Sequence, residues 1–207
     1  MLLICIVGLA IFAIQAGKVN LINLDEQIAH TIFYKIRLPR VLVAIFVGSA
    51  LATSGVILQG LLQNPLADAY TLGIASGGAF GACLAIYVNF TLGINMPIQI
   101  FAILFSFLVI GIVLWLSKVK GELESTNVII AGIIVGSIFS AGLSLLKSLA
   151  NEDVVIMVYW LMGNLSSKPL DKVMVMGIVM LIGSVIIVLG FSLFLFTHLV
   201  LKINKRT

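Results

Sequence analysis

The sequence predicts an all-α fold, a polytopic membrane helix bundle of about six transmembrane helices. Of its 207 residues, 61% are hydrophobic and only 10% are charged, whereas soluble domains average roughly 25% charged residues. Long stretches contain no Lys, Arg, Asp or Glu, among them residues 41–67, 69–117 and 173–201. Because a helix needs only about 20 apolar residues to cross a bilayer, these stretches are predicted to be spans rather than core helices.

Helix breakers divide the apolar stretches into separate crossings. Pro97 interrupts residues 69–117, since proline disfavours helix at the residue before it. The crossings are predicted at about residues 1–16, 39–63, 71–90, 97–117, 127–149 and 171–199. The first is short, because sixteen residues reach only about 24 Å against a hydrocarbon core of about 30 Å. We expect residues 1–207 to form a single transmembrane domain.

Two further segments have the pattern of short helices. Residues 24–36 carry an apolar side chain at every fourth position after Leu24, which predicts a short helix lying at the membrane surface. Residues 151–163 are predicted to form a helix with Asn151 as N-cap and Gly163 at its end. This helix is too short to cross and too apolar for water, so it is predicted to be re-entrant or buried in protein.

Small residues recur at four-residue spacing in three places. Such spacing lets helix backbones approach closely, which is how helices pack when lipid provides no hydrophobic drive between them. We interpret these positions as packing faces rather than ligand sites. They are Ala44, Gly48 and Ala52; Gly73, Gly77 and Gly81; and Gly132 and Gly136.

Several kinds of chemistry have no motif in this chain. It has no phosphate-binding G-x-x-x-x-G-K-[ST] loop, and His30 and His198 lie far apart with no further ligand pattern near them. We therefore predict no metal, no cofactor and no catalysis. The basic residues are scattered over loops, which excludes a nucleic-acid interface. The spans also lack the intramembrane acid that ion-coupled carriers commonly use.

The most distinctive polar segment, residues 59–68, falls between two apolar spans and includes Gln59, Asn64, Pro65 and Asp68. Asn64 can bond to backbone groups beyond it, Pro65 presets a turn, and Asp68 can cap the following helix. We predict a structural turn here rather than a ligand site.

This turn, with its sequence Q-x-x-x-x-N-P-L-A, follows Arg37-Leu38-Pro39-Arg40 and precedes Trp160-Leu161-Met162-Gly163. In that order the three motifs resemble the membrane-spanning permease of FecCD-type ABC importers, which take up iron-siderophores, haem and cobalamin. The likeness runs over nearly the whole chain, although Ala69 stands where the family usually has proline. By this resemblance the chain is expected to be the N-terminal six-helix portion of a ten-helix permease, without the C-terminal helices and the ATPase-docking loop.

The resemblance also implies partners and a location. A permease of this family pairs with a second permease, as a homodimer or heterodimer, in the bacterial cytoplasmic membrane. It works with a cytoplasmic ABC ATPase dimer, which hydrolyses the ATP, and with an extracytoplasmic substrate-binding protein.

Two pairs of residues acquire roles by the same resemblance. Arg37 and Arg40 would lie outside and receive acidic residues of the binding protein; alternatively, both anchor the helix end at headgroup level. Ser125 and Thr126 would lie at the cytoplasmic gate, and the turn at residues 59–68 would also face the cytoplasm. Alternatively, Ser125 or Thr126 simply caps a helix beginning at Asn127.

The expected function is thus that of a permease subunit for an iron-siderophore or related metal chelate. Two alternatives remain at this point. One is a truncated, non-transporting fragment of such a permease, and the other is an unrelated secondary carrier. The motifs do not distinguish siderophore, haem and cobalamin as cargo.

Overall fold

The computed structural model describes residues 1–15, 25–119, 122–165 and 169–204. These ranges are almost entirely helical, which confirms the predicted all-α polytopic bundle. The α-helices are α1 (Leu2–Gln15), α2 (Glu26–Ile32), α3 (Leu38–Leu62), α4 (Ile74–Leu92), α5 (Ile98–Leu116), α6 (Ser125–Leu149), α7 (Val154–Met162) and α8 (Leu170–Asn204). Within the described ranges, five helices are long and apolar enough to cross a membrane, and α1, with 14 residues, is shorter.

The predicted surface helix is not separate from the next span. A π-helix, Phe33–Arg37, joins α2 directly to α3, so that Glu26–Leu62 forms one helix of 37 residues. The predicted helix is therefore present over Glu26–Arg37, but it continues into α3 instead of ending before the span. Leu24, its predicted first residue, lies outside the described ranges. The wider π turn ends at Arg37, two residues before Pro39, and proline has no N–H and a ring that clashes with the carbonyl four residues back in an ordinary helix.

The chain forms two compact units, one comprising Met1–Ser54 and Leu165–Thr207 and the other Gly55–Asn164. In the first unit, Gly177 of α8 faces Phe46 of α3. A Cβ added to Gly177 would stand 2.5 Å from the ring of Phe46. Val43 and Val173 are buried in the same unit. By contrast, a Cβ at Gly48 would meet open space, so this glycine makes no close packing contact within the described part of the chain.

In the second unit, α4 packs between α5 and α6. A Cβ at Gly81 would stand 2.5 Å from the carbonyl oxygen of Phe101, so this glycine lets α5 approach α4 closely. Phe80, Phe105 and Phe139, one from each of the three helices, form a ring cluster with centroid separations of 5.4, 5.4 and 6.3 Å. The predicted packing role of the glycines on α4 is thus confirmed.

The short helix α7 covers one end of this unit. Its Met157 is fully buried in a core cluster with Cys83, Ile86 and Leu146. A 3₁₀ turn, Asn151–Asp153, leads into α7, and Asn151 adopts a left-handed φ of 48° with no side-chain capping bond. The predicted N-cap was therefore wrong, because the chain turns at Asn151 before the α-helix starts. The predicted end at Gly163 is confirmed: its N–H bonds to the carbonyl oxygen of Trp160 at 3.1 Å.

The loop between α4 and α5 is held by one side chain. Asn89 donates from Nδ2 to the Met96 carbonyl oxygen at 3.0 Å, and its Oδ1 accepts from the Met96 N–H at 2.6 Å. The backbone N–H and C=O of Met96 are therefore both hydrogen-bonded, so the loop of residues 93–97 leaves neither group of Met96 unpaired.

Candidate functional site

The connection between α3 and α4, residues 63–73, is here called the elbow. It begins where α3 ends at a left-handed residue, Gln63, with φ 48°. The next amide, that of Asn64, donates back to the carbonyl oxygen of Gln59 at 3.1 Å. Gln59 therefore contributes its backbone carbonyl to the turn, while its side chain stays exposed.

The first half of the elbow is a turn built on Asn64 and Pro65. The Asn64 side chain accepts the N–H of Leu66 at 2.9 Å, and its carbonyl oxygen accepts the N–H of Ala67 at 3.1 Å. Proline fits the second position of this turn because its φ is already set. The predicted backbone bonding of Asn64 is confirmed, and Ala67, fully buried, directs the chain back into the core.

The second half is held by reciprocal bonds between Asp68 and Thr71. Oδ1 of Asp68 accepts the N–H groups of Thr71 and Tyr70 at 2.7 and 3.0 Å. The Thr71 hydroxyl accepts the Asp68 N–H and donates to the Asp68 carbonyl oxygen, both at 2.9 Å. The Thr71 N–H bond is the main cause that holds the pKa of Asp68 below its ordinary value. Asp68 thus closes the elbow; the prediction that it caps the next helix was wrong, since Gly73 occupies the N-cap of α4.

The end of the elbow lies directly on the backbone of α6. A Cβ at Gly132 would stand 2.5 Å from the carbonyl oxygen of Thr71, and one at Gly136 would stand 3.0 Å from the Cα of Gly73. Gly73 itself has φ 72°, a conformation that favours glycine. We call Gly73, Gly132 and Gly136 the glycine contact. Since Gly132 lies about two turns into α6, the elbow is inserted beside this helix rather than placed at its tip.

Arg37 is the last residue of the π-helix, and Arg40 lies in the first turn of α3. Arg37 is exposed along part of its length, and its Nη1 donates to the carbonyl oxygens of Ile14 and Gln15, at 2.7 and 3.1 Å. It therefore binds the C-terminal end of α1, where free carbonyls and the helix dipole favour a cation. Arg40 is exposed. The two residues of the predicted docking pair therefore have different surroundings: Arg37 is partly buried and bonded to α1, whereas Arg40 is exposed.

Ser125 and Thr126 are the first two residues of α6, half-buried and exposed respectively. Neither caps the helix: the N-cap is Glu124, which forms no capping bond, although its Oε2 accepts from Nδ2 of Asn127 at 3.1 Å. The alternative capping interpretation was therefore wrong. An antiparallel strand pair, Lys118–Val119 with Glu122–Leu123, precedes the helix.

The histidines do not form a metal centre in the described part of the chain, which contains no group of three potential ligands. His30 lies against Tyr34, with ring centroids 4.4 Å apart. The side chain of His198 lies outside the part of the chain whose side chains are described.

Comparison with known proteins places this architecture in a family. The model of the FecCD transport family matches residues 1–198. The chain belongs to the FecCD transport family.

Two relatives and one solved structure describe the family context. The chain is 31% identical over 176 residues to an uncharacterized ABC transporter permease protein of Bacillus subtilis, covering 82% of this chain and 49% of the relative. It is 34% identical over 160 residues to the molybdate import system permease protein of Haemophilus influenzae, covering 76% and 46%. A transporter described as of a putative metal-chelate ABC type, in an inward-facing conformation, superimposes with a TM-score of 0.68 at 31% identity, covering 87% and 56%. This FecCD chain spans about half the length of the curated relatives it matches.

Sequence reasoning missed three features of this FecCD chain. The capping of α1 by Arg37 and the left-handed Gln63 have no recognisable local signal. The glycine contact had one: Leu72-Gly73 and the Gly132, Gly136 spacing are both visible in the sequence. The sequence does not indicate that Gly73 contacts Gly132 and Gly136, because these residues lie about sixty positions apart.

Proposed function

We propose that this chain is a membrane-spanning permease subunit of an ATP-driven importer that moves a metal chelate, of the iron-siderophore class, into the bacterial cytoplasm. The observation that carries the proposal is the family match over residues 1–198, supported by the superposition on a metal-chelate type ABC transporter. The permease itself performs no chemistry; a separate ABC ATPase dimer hydrolyses ATP. A second permease subunit completes the path through the cytoplasmic membrane, and the extracytoplasmic binding protein delivers the substrate.

In this proposal Arg40 and Arg37 form the external dock. Arginine suits the task because its planar guanidinium binds a carboxylate bidentately and stays charged. The exposure of Arg40 supports a direct contact with an acidic side chain of the binding protein. Arg37, already bonded to the end of α1, contributes charge and also holds the neighbouring helix end in place.

Ser125 and Thr126 are proposed to form part of the cytoplasmic gate, with α6 as a wall of the path. Support comes from their position at the first turn of α6, where the N-cap is Glu124 and neither hydroxyl caps the helix among the described residues. A thiol at Ser125→Cys is expected to change its reactivity between the nucleotide-free and ATP-bound states. Equal reactivity in both states would remove Ser125 from the gate.

The test of the function is reconstituted transport. The permease and its ATPase are purified together and reconstituted in proteoliposomes. The binding protein is then added with radiolabelled ferric trihydroxamate, hemin, cobalamin or molybdate. Uptake of an iron chelate that requires both ATP and the binding protein is the expected result. Uptake that continues without the ATPase would identify a secondary carrier, and no uptake of any iron chelate by the complete set would refute the proposal.

The docking residues are tested with the same components. Arg37→Glu combined with Arg40→Glu is expected to weaken capture of the binding protein, most strongly at low ionic strength where charge attraction is least screened. Arg40→Gln and Arg37→Gln separate the two contributions. Unchanged affinity of the double glutamate variant at low salt would remove this dock.

A further inference from the structure

The side chain of Arg37 holds the C-terminal end of α1, although the two lie 22 and 23 positions apart in the sequence. Its Nη1 donates to the carbonyl oxygens of Ile14 and Gln15, at 2.7 and 3.1 Å. We call these two bonds the α1 clasp. Both partners belong to the unit formed by Met1–Ser54 and Leu165–Thr207. The α1 clasp is therefore a contact within one compact unit.

Side-chain packing holds α1 only weakly. Among the α1 residues whose side chains are described, none is buried, and only Ala10 and Ile14 are half-buried. Ile4, Leu9 and Phe12 are 75%, 67% and 67% exposed. Lipid tails are as apolar as these side chains, so the bilayer provides no hydrophobic drive that would press α1 against the other helices. Its C-terminal end therefore depends on the α1 clasp to a large extent.

The acceptors in the α1 clasp are weaker partners for an arginine than a carboxylate is. The end of a helix offers neutral carbonyl groups and a dipole equivalent to about half an elementary charge. A carboxylate carries a full charge, and its two oxygens accept parallel bonds from the planar guanidinium. In the α1 clasp, a single nitrogen of Arg37 serves both carbonyl oxygens. A carboxylate that reaches Arg37 would therefore compete successfully with the end of α1.

Arg40 provides a route by which an acidic partner reaches Arg37. The two arginines stand three positions apart on a continuous helix, and residues at this spacing are neighbours with Cβ atoms about 5–6 Å apart. Arg40 is exposed. An acidic surface that contacts Arg40 first would thus bring a second carboxylate close to the α1 clasp.

We propose that the α1 clasp is an autoinhibitory contact: the end of α1 occupies Arg37 until a carboxylate of the binding protein displaces it, and this displacement releases α1. This regulation rests on the proposed function, which makes the binding protein the partner of the two arginines. Breaking the α1 clasp weakens docking by the free energy that the clasp contributes. In return, the end of α1 reports whether the binding protein is docked.

Hydrogen exchange in the last turn of α1 tests the release directly. The permease with its ATPase is placed in nanodiscs, and exchange in residues 12–15 is measured by mass spectrometry with and without the binding protein. We expect exchange there to rise about tenfold in the docked complex, because the α1 clasp no longer opposes local opening. Burial under a partner without release would slow the exchange instead. Unchanged or slower exchange in a complex shown to be bound would overturn the proposal.

Glutamine variants of the two arginines are matched controls for this measurement. Arg37→Gln removes the α1 clasp, so exchange in residues 12–15 should be fast from the start and should not rise further on docking. Arg40→Gln keeps the α1 clasp, so the rise should persist once the binding protein is saturating. A rise of the wild-type size in Arg37→Gln would overturn the proposal, because that variant has no clasp to break.

A carboxylate placed at the end of α1 should strengthen the α1 clasp. Gln15 is exposed, and its carbonyl oxygen already accepts from Arg37. Gln15→Glu is therefore expected to raise the Kd of the binding protein about tenfold, since the new carboxylate competes for the same guanidinium. Gln27→Glu, an exposed residue of α2, makes the same change in net charge and should alter the Kd much less. Equal effects of the two variants would contradict the competition.

Two further comparisons identify which claim fails. If Arg37→Glu with Arg40→Glu leaves binding unchanged, the dock itself is refuted and the autoinhibition with it. If binding needs the arginines but exchange in α1 stays constant, only the autoinhibition is refuted. Nanodiscs of phosphatidylcholine with and without phosphatidylglycerol test a lipid phosphate as the displacing group. Faster exchange caused by phosphatidylglycerol alone, without the binding protein, would overturn the assignment to a protein carboxylate.

Discussion

Arg37 donates through Nη1 to the carbonyl oxygen of Ile14 at 2.7 Å, across 23 positions of sequence. This bond ties the end of α1 to the π-helix that joins α2 to α3. An arginine that the family resemblance assigns to an external partner therefore also stabilises its own chain. Charge reversal at Arg37 would thus affect both tasks, and measurements on Arg37 require a readout for each.

Replacing Arg37 with glutamine is expected to loosen the C-terminal turn of α1. The loss of charge-assisted bonds to Ile14 and Gln15 should lower local stability by about 1–2 kcal/mol, so amide hydrogen exchange in residues 12–15 should rise by roughly tenfold. Mass-spectrometric hydrogen exchange in nanodiscs measures this. Arg40→Gln is the control and should leave exchange in α1 unchanged; similar effects from both variants would argue against a specific cap.

Gly132→Ala is expected to destabilise the second unit, because the new methyl group would overlap the backbone of Thr71 and Leu72. Overpacking of this kind costs about 1–3 kcal/mol. Thermal unfolding in detergent micelles gives the comparison. Gly111→Ala is the matched control, since a Cβ there meets open space within helix α5, and alanine favours the helix by up to about 1 kcal/mol. If both variants are equally stable, the glycine contact has no energetic weight.

The elbow should weaken in acid because of Asp68. Its folded pKa is lowered, chiefly by the Thr71 N–H bond, so ionised Asp68 stabilises the fold above its unfolded pKa and loses this contribution as the pH falls through the lowered folded value. We expect the wild type to lose more thermal stability than Asp68→Asn between about pH 6 and pH 3. Glu152→Gln, an exposed carboxylate outside the elbow, controls for the change in net charge; acid sensitivity equal in the wild type and Asp68→Asn would exclude Asp68 as its source.

Asn89→Ala should open the loop between α4 and α5. It removes two bonds to Met96 and leaves a partly buried backbone position unpaired, a loss of about 1–3 kcal/mol. The melting temperature should fall, and protease cleavage within residues 93–97 should become faster. Asn95→Ala alters an exposed amide in the same loop and should do neither; a loop equally resistant in both variants would contradict the role of Asn89.

Elements set by local chemistry could be predicted from the sequence. The apolar stretches located the membrane helices, Gly163 located the end of α7, and the Asn64-Pro65 pair located the first turn of the elbow. In each case the deciding interactions lie within a few residues of one another, so composition and spacing are sufficient.

The remaining features depend on competing or distant partners. The interpretation of Asp68 as a helix cap failed because Thr71 competes for the carboxylate, and α4 starts only after the bound turn is complete. The continuity of α2 with α3 was not foreseen, because a π turn accommodates Pro39 without breaking the helix. Nothing near Gly73 indicates Gly132 as its neighbour, and nothing near Arg37 indicates Ile14, since these pairs form only when helices assemble.

The glycine contact also constrains how the chain is made. Peptide groups at Thr71–Gly73 are covered by α6, yet α6 is synthesised some sixty residues after them. The N–H groups of Leu72 and Gly73 are already bonded within the elbow, to the carbonyl oxygens of Asp68 and Tyr70, so the elbow can complete these bonds before α6 is made. The close packing at Gly73 needs Gly136 of α6, so this contact is completed only after that later helix has been synthesised.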